Sequence, residues 1–251
     1  MIEVDQSLSF NRALVEKYDR PGPRYTSYPT APQFHQAFAL DDYHAAAQAS
    51  NQAAVPKALS LYIHIPFCKS LCYYCACNKI ITQKTHRAVE YLNYLKREIA
   101  MQAALFDPGR KLRQLHLGGG TPTYLTREQL AELMDCLHQA FNLDDSDEHE
   151  FSIEVDPRTI STEQIEHLRQ LGFNRLSFGV QDFDPDVQAA VNRQQSEEQI
   201  YALVAAARAA QFKSVSVDLI YGLPLQTVAS FDVTLSKIIA LRPDRIAAYS
   251  Y

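Results

Sequence analysis

The sequence predicts an α/β fold in which six parallel strands, with helices between them, curve into an incomplete, opened barrel. Two observations carry this expectation. From residue 58 onward, short strand-like runs alternate with longer segments of helical periodicity, as parallel strands joined by right-handed crossovers require. Within most of the strand runs one parity is apolar and the other polar. Leu59, Leu61, Ile63 and Ile65 alternate with Ser60, Tyr62 and His64, and Phe151, Ile153 and Val155 with Ser152, Glu154 and Asp156. Successive strand side chains point to opposite faces, so the apolar set can meet the helices while the polar set lines an interior. A closed eight-strand barrel would instead fill that interior with branched apolar side chains.

Taken in order, residues 1–57 are expected to form an N-terminal arm and 58–251 the barrel. The expected strands are Leu59–Ile65, 114–117, 151–155, 175–180, 215–219 and 245–251. Thr126 with Gln129, Ser161 with Gln164, and Ser196 with Gln199 have the spacing of capping boxes, and Asp184 precedes Pro185 at a first helical position. After Thr126 the apolar residues Leu130, Leu133, Met134 and Leu137 follow the helical interval, as do Ile200, Leu203, Val204 and Ala207. Gly172 suits a left-handed helix end. The last strand reaches Tyr251 with no closing helix, so a longer protein, with its C-terminal part absent from this chain, is expected. A two-faced antiparallel sheet with its polar side in water is disfavoured, because it would not need the intervening helices.

Composition narrows the function classes. The 251 residues carry a formal net charge of −5 and no block of Lys or Arg, which disfavours a nucleic-acid phosphate track. No apolar run approaches bilayer length, so no membrane association is expected. The five cysteines are odd in number, and the acidic start Met1-Ile-Glu-Val-Asp has no basic region or apolar core. Disulfides and secretion are therefore disfavoured, and a cytoplasmic location is expected.

Four of the cysteines fall between Cys68 and Cys77. Cys68, Cys72 and Cys75 form a C-x3-C-x2-C run. Three thiolates can share one metal centre, yet they leave it a ligand short. A structural zinc site is closed by a fourth ligand, for which Cys77 or His64 would serve, and a zinc module stays open on spacing alone. A 4Fe–4S cluster is ordinarily held by four thiolates, so three would leave one iron free. A second motif, Gln114-Leu-His-Leu-Gly-Gly-Gly-Thr-Pro, ends the second strand in three glycines. These let backbone N–H and C=O groups approach a ligand without obstruction. The spacing is not that of a P-loop.

Together the C-x3-C-x2-C run, Gly118-Gly-Gly-Thr-Pro and the open six-strand barrel resemble the radical S-adenosylmethionine superfamily. Within it the chain resembles the oxygen-independent coproporphyrinogen III oxidases. That likeness rests on Gly22-Pro-Arg-Tyr-Thr-Ser-Tyr-Pro-Thr, Tyr62-Ile-His-Ile-Pro-Phe-Cys, Cys75-Ala-Cys-Asn-Lys, Ser152-Ile-Glu-Val-Asp-Pro-Arg, Asn174-Arg-Leu-Ser-Phe-Gly-Val-Gln-Asp-Phe, Val191-Asn-Arg and Asp218-Leu-Ile-Tyr-Gly-Leu-Pro. The resemblance implies an open (β/α)6, three-quarter TIM-type barrel with a 4Fe–4S cluster on Cys68, Cys72 and Cys75, its free iron chelated by S-adenosylmethionine. It implies oxidative decarboxylation of two propionates of coproporphyrinogen III to vinyl groups, through a 5′-deoxyadenosyl radical, giving protoporphyrinogen IX. A flavodoxin- or ferredoxin-type donor and a monomeric enzyme are expected with it. A haem-chaperone relative, which keeps the cluster motif without this oxidation, is the competing reading. Such relatives lack the long arm and the Cys77 position.

Residue by residue, the family pattern implies contacts to a first S-adenosylmethionine at Tyr62, Tyr74 and Glu154. It implies a second one near Gly119, Gly120, Thr121, Gln181, Arg193 and Asp218. Parity agrees independently for Tyr62, Glu154, Gln181 and Asp218, all on the polar face. The plain alternatives are a salt bridge at the barrel mouth for Glu154 and Asp218, and a helix-end surface charge for Arg193. Cys77 is a candidate for a redox or hydrogen-donor role against an inert thiol, with Ala76 where the family usually has glycine. Cys136 is expected in the core, and His64 and His116 in the lining. Arg20, Arg24, Tyr25 and Tyr28 are candidates for propionate binding or for closing the mouth, since arginine suits carboxylates.

Overall fold

The computed structural model describes residues 10–20 and 30–251; Arg24, Tyr25 and Tyr28 lie outside them. The chain divides into two compact units, 1–47 and 48–251. The first contains helix α1 (Arg12–Tyr18), where Asn11 Oδ1 accepts from the Leu14 N–H at 3.0 Å. Helix α2 (Leu40–Asn51) starts within it. Arg20 is exposed.

The second unit is the barrel. Its strands are β1 (Leu59–Ile65), β2 (Phe67–Cys68), β3 (Ile80–Ile81), β4 (Lys111–Gly119), β5 (Asn142–Leu143), β6 (Glu150–Val155), β7 (Arg175–Gln181), β8 (Ser214–Tyr221) and β9 (Arg245–Ser250). The helices are α3 (His86–Ala103), α4 (Arg127–Ala140), α5 (Thr162–Gln170), α6 (Pro185–Ala190), α7 (Glu197–Ala209) and α8 (Val228–Leu241). The main sheet is parallel throughout, in the order β1-β4-β6-β7-β8-β9, with β5 beside β4. Among the described residues β1 and β9 do not pair, so the barrel is open. This is the α/β architecture the alternation predicts.

The apolar parity does what the pattern requires. Ile63, Ile65, Leu115, Leu117, Ile153, Phe178, Val217 and Leu219 are buried in one core with Leu92 and Ile99 of α3, Leu133 and Leu137 of α4, Ile165 of α5, Leu203 of α7 and Ile238 of α8. Cys136 packs against this core. Thr126 and Gln129 form the expected box, each side chain accepting from the other's backbone N–H at 3.2 and 3.0 Å. At Ser161 the Gln164 side chain accepts from the Ser161 N–H at 2.9 Å. Asp184 caps α6 through the N–H groups of Asp186 and Val187, and Gly172 takes φ +97°.

Two expectations need correction, and three short strands were not expected. Strand 114–117 extends to Lys111–Gly119, so two of the glycines belong to the strand itself. The pairs β2–β3 and β4–β5 have two residues to a strand or add one such strand, too short to show a period in sequence. Ser196 caps α7 by accepting from the Gln199 N–H at 3.2 Å, but the Gln199 side chain does not return the bond. It donates instead to Pro157 O at 2.7 Å and Ile160 O at 3.4 Å, where two carbonyls of a tight turn lack strand partners.

Candidate active site

The cysteine loop leaves β1 at Pro66 and is closed by the small β2–β3 sheet. Ile80 N donates to Pro66 O at 2.7 Å and Thr82 N to Cys68 O at 2.9 Å. Between these clamps Cys75 N donates to Cys72 O at 3.1 Å, and Lys79 Nζ to Cys75 O at 2.6 Å. The loop is therefore pinned at both ends while its thiols stay free of disulfides. Cys68, Cys72, Cys75 and Cys77 all edge one cavity of about 260 Å³ at the C-terminal ends of β4, β6, β7 and β8. In open parallel α/β folds that is where ligands bind.

The same cavity is lined by Tyr74, Gly119, Gly120, Thr121, Glu154, Gln181, Arg193 and Asp218. Tyr62 stands apart. Its ring stacks on His116 with centroids 5.7 Å apart, and its hydroxyl lies 3.0 Å from His64 Nδ1. His64 Nε2 sits 2.8 Å from the Asn78 carbonyl, which can only accept, so in the neutral imidazole Nδ1 accepts from the Tyr62 hydroxyl. His116 lies 2.6 Å from Ser152 Oγ and 3.3 Å from Glu154 Oε1. It belongs to a second polar chamber of about 410 Å³ within the barrel, which shares Glu154, Ser177 and Asp218 with the first.

The glycines have distinct reasons. A Cβ on Gly120 would sit 2.6 Å from Pro66 O, inside main chain that cannot retreat, and Gly119 has φ +116° with the His64 ring where its Cβ would be. At Gly118 the same atom would meet Glu154 Oε1 at 2.9 Å. Gly119 N donates to Glu154 Oε2 at 3.2 Å, so the backbone of one strand end orients the carboxylate of the next. Gly179 makes room for Arg193 Nη2, which would lie 2.7 Å from a Cβ there and donates to Gly179 O at 2.7 Å. Beyond Gly179 the β7–β8 register slips at a bulge, and Gln181 takes φ +68°. Such bulges re-aim a side chain beside functional sites.

Electrostatics divide the cavity. Asp218, which accepts from Ser177 Oγ at 3.1 Å, is raised to about 6, chiefly by burial and then by the Glu154 charge. Burial likewise pushes the Cys77 thiol up to about 11, with Cys75 adding to it. Burial raises the Cys68 thiol too, against a hydrogen bond from Thr121. Arg193 is buried at 7% exposure, so the helix-end surface reading of it is wrong. Two residues that sequence reasoning passed over complete this wall. Asp156 follows β6 as the cap of the 3-10 turn Pro157–Thr159, in which Arg158 sits. Arg158 Nη2 lies 2.6 Å and Nε 3.2 Å from Asp156 Oδ2, with Arg193 Nη1 at 3.4 Å on the same oxygen. Burial opposes the Asp156 charge, but the hydrogen bonds from Arg158 and the Arg193 guanidinium outweigh it and hold the carboxyl below its ordinary range. Parity had placed Asp156 on the polar face, and that was the available signal.

Residues 62–238 match the model of the radical SAM superfamily. The chain belongs to that superfamily. It is 49% identical over 98% of its length to the oxygen-independent coproporphyrinogen III oxidase of Escherichia coli K12, and 46% identical over 98% to that of Synechocystis. A solved coproporphyrinogen III oxidase (HemN) from Escherichia coli, described as a radical SAM enzyme, superposes with a TM-score of 0.86 at 48% identity, covering 98% of this chain and 54% of that one. The chain spans about half the length of the curated relatives it matches, 52% for both oxidases.

A radical SAM domain implies a 4Fe–4S cluster and S-adenosylmethionine, and the cavity fits both. Among the described residues no three His, Cys, Asp or Glu side chains converge as a single ion requires. A cubane asks only for thiolates that ring a space, and its sulfurs accept hydrogen bonds. Cys72 Sγ has two such donors, Arg158 Nη2 and Arg193 Nη1, each at 3.5 Å. Arg193 Nε is buried with no partner among the described residues, a donor that an anionic ligand group in the cavity would satisfy.

Proposed function

We propose that this chain provides the radical-generating barrel of an oxygen-independent coproporphyrinogen III oxidase, which oxidatively decarboxylates two propionates of coproporphyrinogen III to the vinyl groups of protoporphyrinogen IX. The observation that carries the reading is the identity of 49% over 98% of the chain, joined to one cavity that holds the three-cysteine run and eight of the nine polar or glycine positions the family pattern assigns to S-adenosylmethionine. Cys68, Cys72 and Cys75 would hold the cluster. Bound there with S-adenosylmethionine, it would supply the electron that generates the 5′-deoxyadenosyl radical for hydrogen abstraction.

The protein's part is binding, orientation and exclusion of water. Glu154, braced by Gly119 N, suits the ammonium or ribose hydroxyls of a first S-adenosylmethionine, with Tyr74 on the same wall. Tyr62, stacked on His116, lies outside the cavity lining and is assigned to that ligand on the family pattern alone. Gly119, Gly120, Thr121, Gln181, Arg193 and Asp218 suit a second molecule, Arg193 pairing its carboxylate. Cys77, on the rim of the same cavity, would be placed to give a hydrogen atom. Residues 1–57 would serve as an arm to the barrel, and a flavodoxin- or ferredoxin-type protein as the donor.

The test is anaerobic turnover of coproporphyrinogen III, with S-adenosylmethionine and a low-potential reductant, by the protein that contains this chain. Vinyl product is expected, with Cys68→Ala lowering the rate at least a hundredfold. Tight haem binding without any vinyl product would overturn the oxidase in favour of a haem-carrying relative.

A further inference from the structure

We propose that Arg158 is a positioning residue that, with Arg193, makes Cys72 the electropositive corner of the cluster and so eases its reduction. The inference rests on the cluster reading above and concerns what that reading leaves unassigned. Reduction adds one negative charge to the cluster. Hydrogen bonds to its sulfurs and nearby positive charge favour the reduced state and raise the potential.

The three cysteines are not equally served. Among the described residues Cys68 Sγ has only the neutral Thr121 hydroxyl, at 3.4 Å. The Lys79 ammonium is spent on main-chain oxygens, Cys75 O at 2.6 Å and Cys77 O at 3.4 Å. Of the three, Cys72 Sγ alone has guanidinium donors among the described residues, Arg158 Nη2 and Arg193 Nη1. Asp156 couples the two, gripping Arg158 by Nε and Nη2 and reaching Arg193 at 3.4 Å. One carboxylate against two guanidinia leaves a net positive charge beside this sulfur.

Arg158 is also held in advance. The Asp156 side chain accepts from Arg158 N at 3.1 Å, and Gln199 of α7 fixes the turn through Pro157 O and Ile160 O. A donor fixed before the charge arrives loses nothing to reorganisation when it does.

The experiment is an EPR-monitored redox titration of the anaerobically reconstituted protein, with iron and sulfide content measured in parallel. Arg158→Met should make the cluster about tenfold harder to reduce, which for a one-electron couple is ~59 mV more negative. Arg158→Lys should recover part of that shift. Asp156→Asn, which leaves both guanidinia uncompensated, should shift the potential the opposite way. Loosening of the site would not produce opposite signs at two partners. Should Arg158→Met fail to load iron, Arg158→Gln carries the same expected direction. A fully loaded Arg158 variant with an unmoved midpoint overturns this inference alone, as does a downward shift in Asp156→Asn. A wild-type protein that takes up no cluster overturns the reading beneath it.

Discussion

At the scale of single residues, Asp218 offers a measurable pH signature. Its folded value of about 6 lies above the ~3.9 of an unfolded aspartate. The native state therefore holds this proton more tightly. The carboxyl contributes its full share of stability below about pH 4 and loses it as the pH rises through 6. Asp218→Asn should stabilise the metal-free protein by roughly 1–3 kcal/mol at pH 8, with the gain vanishing towards pH 4. Denaturant midpoints at the two pH values check this, and a pH-independent difference would contradict the assignment. Gly179→Ala presses a methyl group against the buried Arg193 guanidinium. It should cost about 1–3 kcal/mol in urea unfolding, whereas a cost near zero would mean that the arginine has room to move.

At the scale of elements, what the sequence made legible and what it hid divide by range. Strand parity and helix period are local; they placed the six long strands, with bounds that differ at the ends, and they gave the apolar faces of α4 and α7 residue for residue. The two-residue strands β2, β3 and β5 carry no period to read. The cluster-side wall was hidden because its bonds are distant in sequence: Arg158 to Cys72 spans 86 residues and Arg193 to Cys72 spans 121. Gln199 shows the limit most clearly. Its spacing from Ser196 reads as a cap, yet its side chain serves another element. Gln199→Ala should leave the helical circular-dichroism signal of α7 in place, because the Ser196 cap persists. It should still cost about 1–2 kcal/mol by freeing two carbonyls. Loss of helical signal in proportion to stability would restore the capping role.

At the scale of the whole molecule, one apolar layer between the sheet and its helices bears the architecture, and the polar layer inside the strands bears the chemistry. Phe178 is fully buried in the first, between neighbours that also shape the second. Phe178→Ala should destabilise the barrel by about 3–5 kcal/mol in chemical denaturation, and a loss below 1 kcal/mol would show that the core can collapse around it. The glycine-rich tip of β4 sets a different kind of boundary. Its three positions press on a carboxylate of β6, an imidazole of β1 and the main chain after β1. No neighbour is common to all three, so no single compensating change elsewhere could readmit bulk along that edge. Redesign of the chamber for a larger guest would have to begin elsewhere in its lining, at Ser177.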